Sequence, residues 1–229
     1  MFSEEETRRL TAQLMEGAAS VGVTPDAGQA ARLIRFLGLL LDWNRKINLT
    51  AITDPAEAVE HHLIDALAAS PLTADLHSVM DIGTGGGIPG IPLAVLNPNQ
   101  QWVLVETVGK KVGFLKAAAA ALGLKNVRSI QARAEGHPTR EGLPLCEGAI
   151  SRAFTAAPAW FDLAQNYVTG PRAVIAMLGA GTEAEAFAAA NPGFRNVRIA
   201  DYRLPRSGIA RQVMRASLPD DSAGSGTGS

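Results

Sequence analysis

The sequence predicts an α/β protein: a doubly wound, mostly parallel sheet with a C-terminal antiparallel hairpin and an N-terminal helical extension. Three observations carry this. From Ser78 onward, short apolar runs alternate with helix-like stretches, the order that builds parallel sheets with helices on both faces. A glycine-rich turn, Asp81-Ile82-Gly83-Thr84-Gly85-Gly86-Gly87-Ile88-Pro89-Gly90, joins the first such run to a helix. Two strand-like segments near the end, about 195–203 and 209–216, are joined by Pro205 and Gly208 and are close enough to pair as a hairpin.

The first seventy residues or so read as helical. Leu33, Ile34, Leu37, Leu40 and Leu41 recur at helical spacing, with Arg32, Arg35 and Asp42 on the other side. Asp54 and Pro55 form a helix start, with Asp54 as cap and Pro55 in the first turn. That helix would carry Val59, Leu63, Ala66 and Leu67 on one face. Beyond Ser78 the expected strands are 79–82, 102–106, 127–132, 148–151 and 172–177. The expected helices are 91–96, 110–122, 158–167 and 183–190, with Asn97-Pro98 and Gly123 ending the first two. The chain thus divides into a helical extension (1–72), a ligand-binding core (73–218) and a polar tail (219–229) expected to be disordered.

Composition narrows the function. The chain has 229 residues, 47% of them hydrophobic, enough for a single core. Its net charge of −1 means that any nucleic-acid contact must come from a local patch. The apolar run at 37–41 is too short to span a bilayer. Glu4, Glu5 and Glu6 stand where a signal peptide would be basic. The one cysteine, Cys146, has no partner for an internal disulfide and reads as a small buried apolar residue. These features suit a soluble cytoplasmic protein. The four histidines, His61, His62, His77 and His137, lack partners at metal-ligand spacing, so no metal is expected.

The glycine turn is the chemical centre. Five glycines in the eight residues 83–90 exceed what chain reversal requires, and a backbone without Cβ lets a ligand lie directly on it. Gly85 to Gly90 also matches G-x-G-x-x-G, so a dinucleotide is a competitor. Glu106, ending the second strand, suits the ribose hydroxyls of either NAD or S-adenosylmethionine. Two features favour the methyl donor. Asp81, just before the first glycine, would face a charged aminoacyl group but repel a pyrophosphate. The C-terminal hairpin is typical of methyltransferases rather than dehydrogenases. Gly83, Gly85, Gly87 and Ile88 complete the expected donor contacts. After the third strand, Ala134 and Glu135 are candidates for the adenine end.

Other residues are more specific than a fold. They are Trp43-Asn44-Arg45-Lys46-Ile47-Asn48-Leu49-Thr50, His62-Leu63-Ile64-Asp65, Gly109-Lys110-Lys111, Phe114-Leu115 and Ile150-Ser151-Arg152-Ala153-Phe154. With the glycine turn, they resemble the bacterial small-subunit ribosomal RNA methyltransferase family known as RsmG or GidB, from about Leu40 to Met177 and more loosely to Arg215. The resemblance implies a Rossmann-like class I methyltransferase that transfers a methyl group from S-adenosylmethionine to N7 of a guanine in 16S ribosomal RNA. It places cofactor contacts on Gly83, Ile88, Ala134, Glu135 and Arg152, with Glu106 on the ribose. Arg152 is expected nearest both donor and guanine. Trp43, Asn44 and Asn48 read as packing and capping residues that join the extension to the core. Two departures stand out: Leu178 before Gly179 where the family usually has lysine, and Ala66 where it usually has serine.

Guanine N7 carries a lone pair at neutral pH, so the chemistry needs positioning and no general base. RNA needs nearby positive charge. Lys110, Lys111 and Lys116 on one helix, and Arg195, Arg198, Arg203, Arg206, Arg211 and Arg215 in the last strands, form the expected rim. The weak overall charge points to a small ribosomal subunit or assembly intermediate as the substrate. A small-molecule methyltransferase, an NAD-binding oxidoreductase and a non-catalytic RNA-binding module are the competing readings.

Overall fold

The computed structural model describes residues 2–152 and 156–219. The tail expectation beyond Pro219, and Ala153 and Phe154 of the family-like segment, lie outside the described residues.

Two long helices open the chain. Ser3 caps α1 (Glu4–Ser20) by accepting from the Glu6 N–H at 3.2 Å. Asp26 and Gln29 form a reciprocal capping box on α2 (Ala27–Asn44), at 2.7 and 2.8 Å. The third helix, α3 (55–67), starts at the Asp54 cap as the sequence predicts. Its middle, Val59–Ile64, is wound as a π-helix between α-helical turns at Pro55–Ala58 and Asp65–Leu67. Nothing in the sequence pattern marks this widened turn.

The sheet follows. Its strands are β1 (Ser78–Ile82), β2 (Gln101–Glu106), β3 (Val127–Gln131), β4 (Cys146–Arg152), β5 (Val168–Gly179), β6 (Arg195–Arg203) and β7 (Ala210–Ser217). The order is β3-β2-β1-β4-β5-β7-β6. The first five run parallel, and β7 lies antiparallel between β5 and β6. The strand order reverses at β1 and β4, so the crevice beyond their carboxyl ends is the expected ligand position. The helices between strands are α4 (Gly90–Leu96), α5 (Gly109–Leu122), α6 (Pro138–Glu141), α7 (Ala157–Ala164) and α8 (Ala184–Ala190).

Three elements differ most from the sequence reading, among them the short helix α6, which the sequence pattern does not mark. The helix expected at 158–167 ends at Ala164, and Gln165–Tyr167 tightens into a 3-10 turn. Strand β5 starts four residues early, at Val168, because the register shift opposite Cys146 and Gly148 absorbs Gly170 and Pro171.

One hydrophobic cluster joins Leu14 of α1 and Leu37 of α2 to Leu63, Ile91, Leu104 and Leu115. Helix α2 therefore packs against α4 and α5, and α1 against α2 and α3. A second cluster, including Met80, Val105, Trp160, Phe161 and Met214, fills another side of the sheet. Among the described residues, no helix is long and apolar enough to cross a membrane.

Candidate active site

The glycine turn leaves β1 at its carboxyl end. Gly83 and Thr84 donate their N–H groups to the Val105 carbonyl, at 2.9 and 3.1 Å. Asp81 lies beneath the turn, 1% exposed. Its Oδ2 accepts from the Thr84 hydroxyl at 2.6 Å and the Gly90 N–H at 2.9 Å, while Oδ1 is buried without a hydrogen-bond partner. Burial pushes the Asp81 carboxyl up to about 6, against the pull of those two donors. A Cβ on Gly90 would overlap the Leu104 side chain and stand 2.8 Å from Asp81 Oδ2. Gly90 is thus required for packing, and Gly87, at φ +82, for backbone conformation. The sequence reading has Asp81 facing a ligand; here one of its oxygens braces the turn and the other is left for a further donor.

Glu106 closes the next strand and is 7% exposed. Its Oε2 accepts from the Gly85 N–H at 3.1 Å. Its Oε1 accepts from the Val108 N–H at 2.8 Å and the Thr107 hydroxyl at 3.1 Å. The carboxylate therefore bridges the glycine turn and the start of α5.

The opposite wall comes from distant segments. Arg152, ending β4, donates from Nη1 to the His61 carbonyl at 2.7 Å and to Asp65 Oδ2 at 3.2 Å. Asp65 Oδ1 accepts from the Tyr202 hydroxyl at 2.7 Å and lies 3.9 Å from Arg211 Nε. Burial, then the Asp65 charge, raises the Tyr202 phenol above its ordinary range. His62 Nε2 lies 2.7 Å from the Thr50 hydroxyl, which accepts from the Ile52 N–H. Burial, then the Arg152 charge, lowers His62 to about 4, so its imidazole is neutral at pH 7. Asn44 accepts from the Leu49 and Thr50 N–H groups and donates to the Thr50 carbonyl, which fixes the loop carrying Thr50. Trp43 packs on Phe114, ring centroids 5.6 Å apart.

Between the two walls lies a cavity of about 530 Å³, bordered by Gly83, Gly85, Ile88, Asp65, Arg152 and Leu178. Tyr202 and Arg211 also reach it. Asp81, Gly87 and Glu106 support this lining from behind. Ala134 and Glu135 stand apart from it. The Glu135 side chain pairs with Arg133 at 3.1 Å on the surface, and its N–H is held by Glu141 at 2.9 Å. Glu141 also accepts from Tyr167 at 2.5 Å, so the turn after β3 is fixed internally. Ala66 is a buried residue of α3 and does not border the cavity.

The basic rim divides. Lys110 and Lys111 border an open depression with Lys46, beside Val108, which is 46% exposed. Arg203 and Arg206 are exposed near the β6–β7 turn, where Arg203 donates to the Gly208 carbonyl at 3.1 Å. Arg215 departs from the sequence reading. It is 4% exposed, donates to the Leu72 carbonyl and is paired with Asp75, because the 72–75 segment covers it. It ties the extension to the sheet and belongs to no rim. Asp65, Tyr202 and Glu60 have no sequence signal that brings them together. Glu60 is buried and accepts from the Arg206 and Ser207 N–H groups, at 2.7 and 2.9 Å.

A family profile described as GidB, rRNA small subunit methyltransferase G, matches residues 29–197. The chain belongs to this family. A ribosomal RNA small subunit methyltransferase G of Myxococcus xanthus is 48% identical over 91% of this chain and 97% of its own length. One from Shewanella halifaxensis is 34% identical over 92% of this chain and 100% of its own. Among solved structures, cofactor-bound Rv0187 from MTB superposes with a TM-score of 0.57, at 18% identity over 82% of this chain and 91% of that one. An O-methyltransferase from Bacillus cereus in complex with SAH gives 0.55, at 17% identity over 80% and 90%. These neighbours share the class I methyltransferase fold. As a member of the rRNA small subunit methyltransferase G family, the chain is an S-adenosylmethionine-dependent methyltransferase of 16S ribosomal RNA, acting on guanine N7.

The residues present fit the donor. The unpartnered Asp81 Oδ1 and the Glu106 carboxylate both lie against the glycine turn, where no Cβ obstructs Gly85. These acids suit a cationic amine and a ribose diol, and would repel a pyrophosphate.

Proposed function

We propose that the cavity receives the methyl donor along the glycine turn and the target guanine against the Arg152 wall. The observation that carries this reading is the placement of both walls around one cavity at the carboxyl ends of β1 and β4. Asp81, Gly83, Gly85, Gly87, Ile88 and Glu106 hold the donor, with Glu106 exchanging its Gly85 and Val108 contacts for ribose hydroxyls. Ala134 and Glu135 serve the adenine end after the 133–141 turn opens toward it. Arg152 borders both ligands and positions the base.

S-adenosylmethionine, when bound, supplies an electrophilic methyl group; the N7 lone pair takes it, sulfur keeps the bond's electrons, and no proton moves. The chain's task is to hold N7 in line at near-attack distance and to exclude water. Arginine suits the Hoogsteen edge, where O6 and N7 accept side by side. The base enters the cavity unstacked from its neighbours.

Lys110 and Lys111 on one flank, and Arg203, Arg206 and Arg211 on the other, contact RNA phosphates. Residues 1–72 act as a helical extension of the 73–218 core by carrying one wall of the cavity. The substrate is the 16S RNA within a small ribosomal subunit or assembly intermediate in the cytoplasm, and no metal takes part.

The test is transfer of a labelled methyl group to small subunits that lack the modification, with the base identified by mass. N7-methylguanosine in the 16S RNA, formed faster on subunits than on bare RNA, is the expected outcome. Equal rates on both would remove the assembled subunit from the proposal. Donor binding without RNA methylation would favour a small-molecule acceptor.

A further inference from the structure

Asp65 is a buried acid on the base-facing wall that the chemistry above does not use. Its side chain is 7% exposed, and it is the carboxylate bordering the cavity among the described residues. Its two oxygens are divided between two cations. Oδ2 holds Arg152, and Oδ1, fixed by the Tyr202 hydroxyl, faces Arg211 Nε at 3.9 Å. The Arg211 Nε is itself buried without a hydrogen-bond partner.

We propose that Asp65 is a positioning residue of the methyl transfer: it sets the Arg152 and Arg211 guanidinium groups on the cavity wall and offsets their charge where the target base becomes cationic. This rests on the reading that the base lies against this wall. Methylation at N7 adds a positive charge to the base and releases no proton. Two arginines alone would oppose that change, in a partly buried site where charges are weakly screened. One carboxylate between them halves the opposing charge and still leaves two guanidinium forks to donate to O6 and phosphate oxygens. Tyr202 fixes the carboxylate from the hairpin side, so the same contact joins β6 to α3.

The experiment compares Asp65→Asn with the unaltered protein on unmodified small subunits. The expected result is kcat lower by about tenfold or more, with donor affinity by calorimetry within about twofold. Binding should change too: affinity for already methylated subunits should fall relative to unmethylated ones. A second substitution, Arg211→Gln in the Asp65→Asn background, removes one of the two uncompensated cations and should recover the part of the lost kcat that is due to charge, but not the part due to the unanchored Arg152. Unchanged kcat in Asp65→Asn, or a double variant no faster than the single one, overturns the proposal. Should Asp65→Asn fail to fold, Tyr202→Phe carries the test. It keeps the charge but frees one oxygen, and should lower kcat about two- to fivefold while the melting temperature falls by only about a few degrees. Unchanged kcat there overturns the proposal as well. If the unaltered protein forms no N7-methylguanosine, it is the placement of the base that fails instead.

Discussion

The two walls of the cavity are built on different principles. The glycine-turn wall is local: Asp81, the glycine turn and Glu106 lie within one strand-turn-helix-strand unit, and their carboxylates bond to nearby backbone. The Arg152 wall is assembled from afar. Arg152 meets Asp65 across 87 residues, and Tyr202 meets it across 137. A local wall can be kept by a short motif. A dispersed wall depends on the whole fold and on how the extension docks against the hairpin.

The largest effect should come from disturbing the local wall. Gly90→Val places side-chain atoms on Leu104 and Asp81 and should cost about 3 kcal/mol in chemical denaturation. Gly193→Ala, where a Cβ meets nothing within 4 Å, should stay within about 0.5 kcal/mol. Next, Glu106→Ala removes the acceptor of the Gly85 and Val108 N–H groups and should weaken donor binding roughly 10- to 100-fold by calorimetry. Unchanged donor affinity would detach Glu106 from the ribose.

The dispersed wall should answer differently. Glu60→Ala deprives the Arg206 and Ser207 N–H groups of their acceptor. It should cost about 1–3 kcal/mol and raise the KM for subunits while leaving donor affinity intact. If donor affinity falls in step, the walls are not separable.

Acid sharpens the contrast, because the two walls respond with opposite sign. His62 is held neutral by burial, so its contribution is complete above its ordinary 6.5 and is lost as pH falls toward about 4. Asp81 is raised, so its contribution is complete below its ordinary 3.8 and is lost as pH rises through about 6. Below pH 6.5 the His62 part should reduce stability by at most about 1.4 kcal/mol per pH unit. His62→Phe should remove that loss: in melts taken across pH 4–7 the variant should gain on the unaltered protein as pH falls, while the Asp81 part of opposite sign remains. The smallest effect belongs to the surface. Lys110→Ala with Lys111→Ala should lower the slope of log affinity against log salt by about 2, with kcat unchanged.

This contrast also decides what was legible in the sequence. The order of strands, the glycine turn and Glu106 follow from local pattern, and the hairpin from two close apolar segments. Residues in register across a sheet are a different matter. Arg211 and Arg215 lie on the same strand four residues apart, yet one reaches the cavity and the other is covered by the 72–75 segment. No property of either arginine announces this; the covering loop decides it. Likewise the surface placement of Glu135 follows from Tyr167 and Glu141, whose contact spans 26 residues. Asp65 was visible as part of a motif, but its partners were not.

The π-helical turn at Val59–Ile64 makes segment length itself a functional variable. It winds wider than an α-helix and delivers His61, His62 and Asp65 together onto the cavity wall. An i→i+5 turn takes up one residue more than the i→i+4 turn of an α-helix, so deleting one residue here would let it relax to ordinary winding with Asp65 still near Arg152. Loss of a second residue would instead turn the chain beyond it by about 100° and swing Asp65 away, although every side chain of the site was still present. The wide turn is therefore a length tolerance built into the helix, good for one residue and no more.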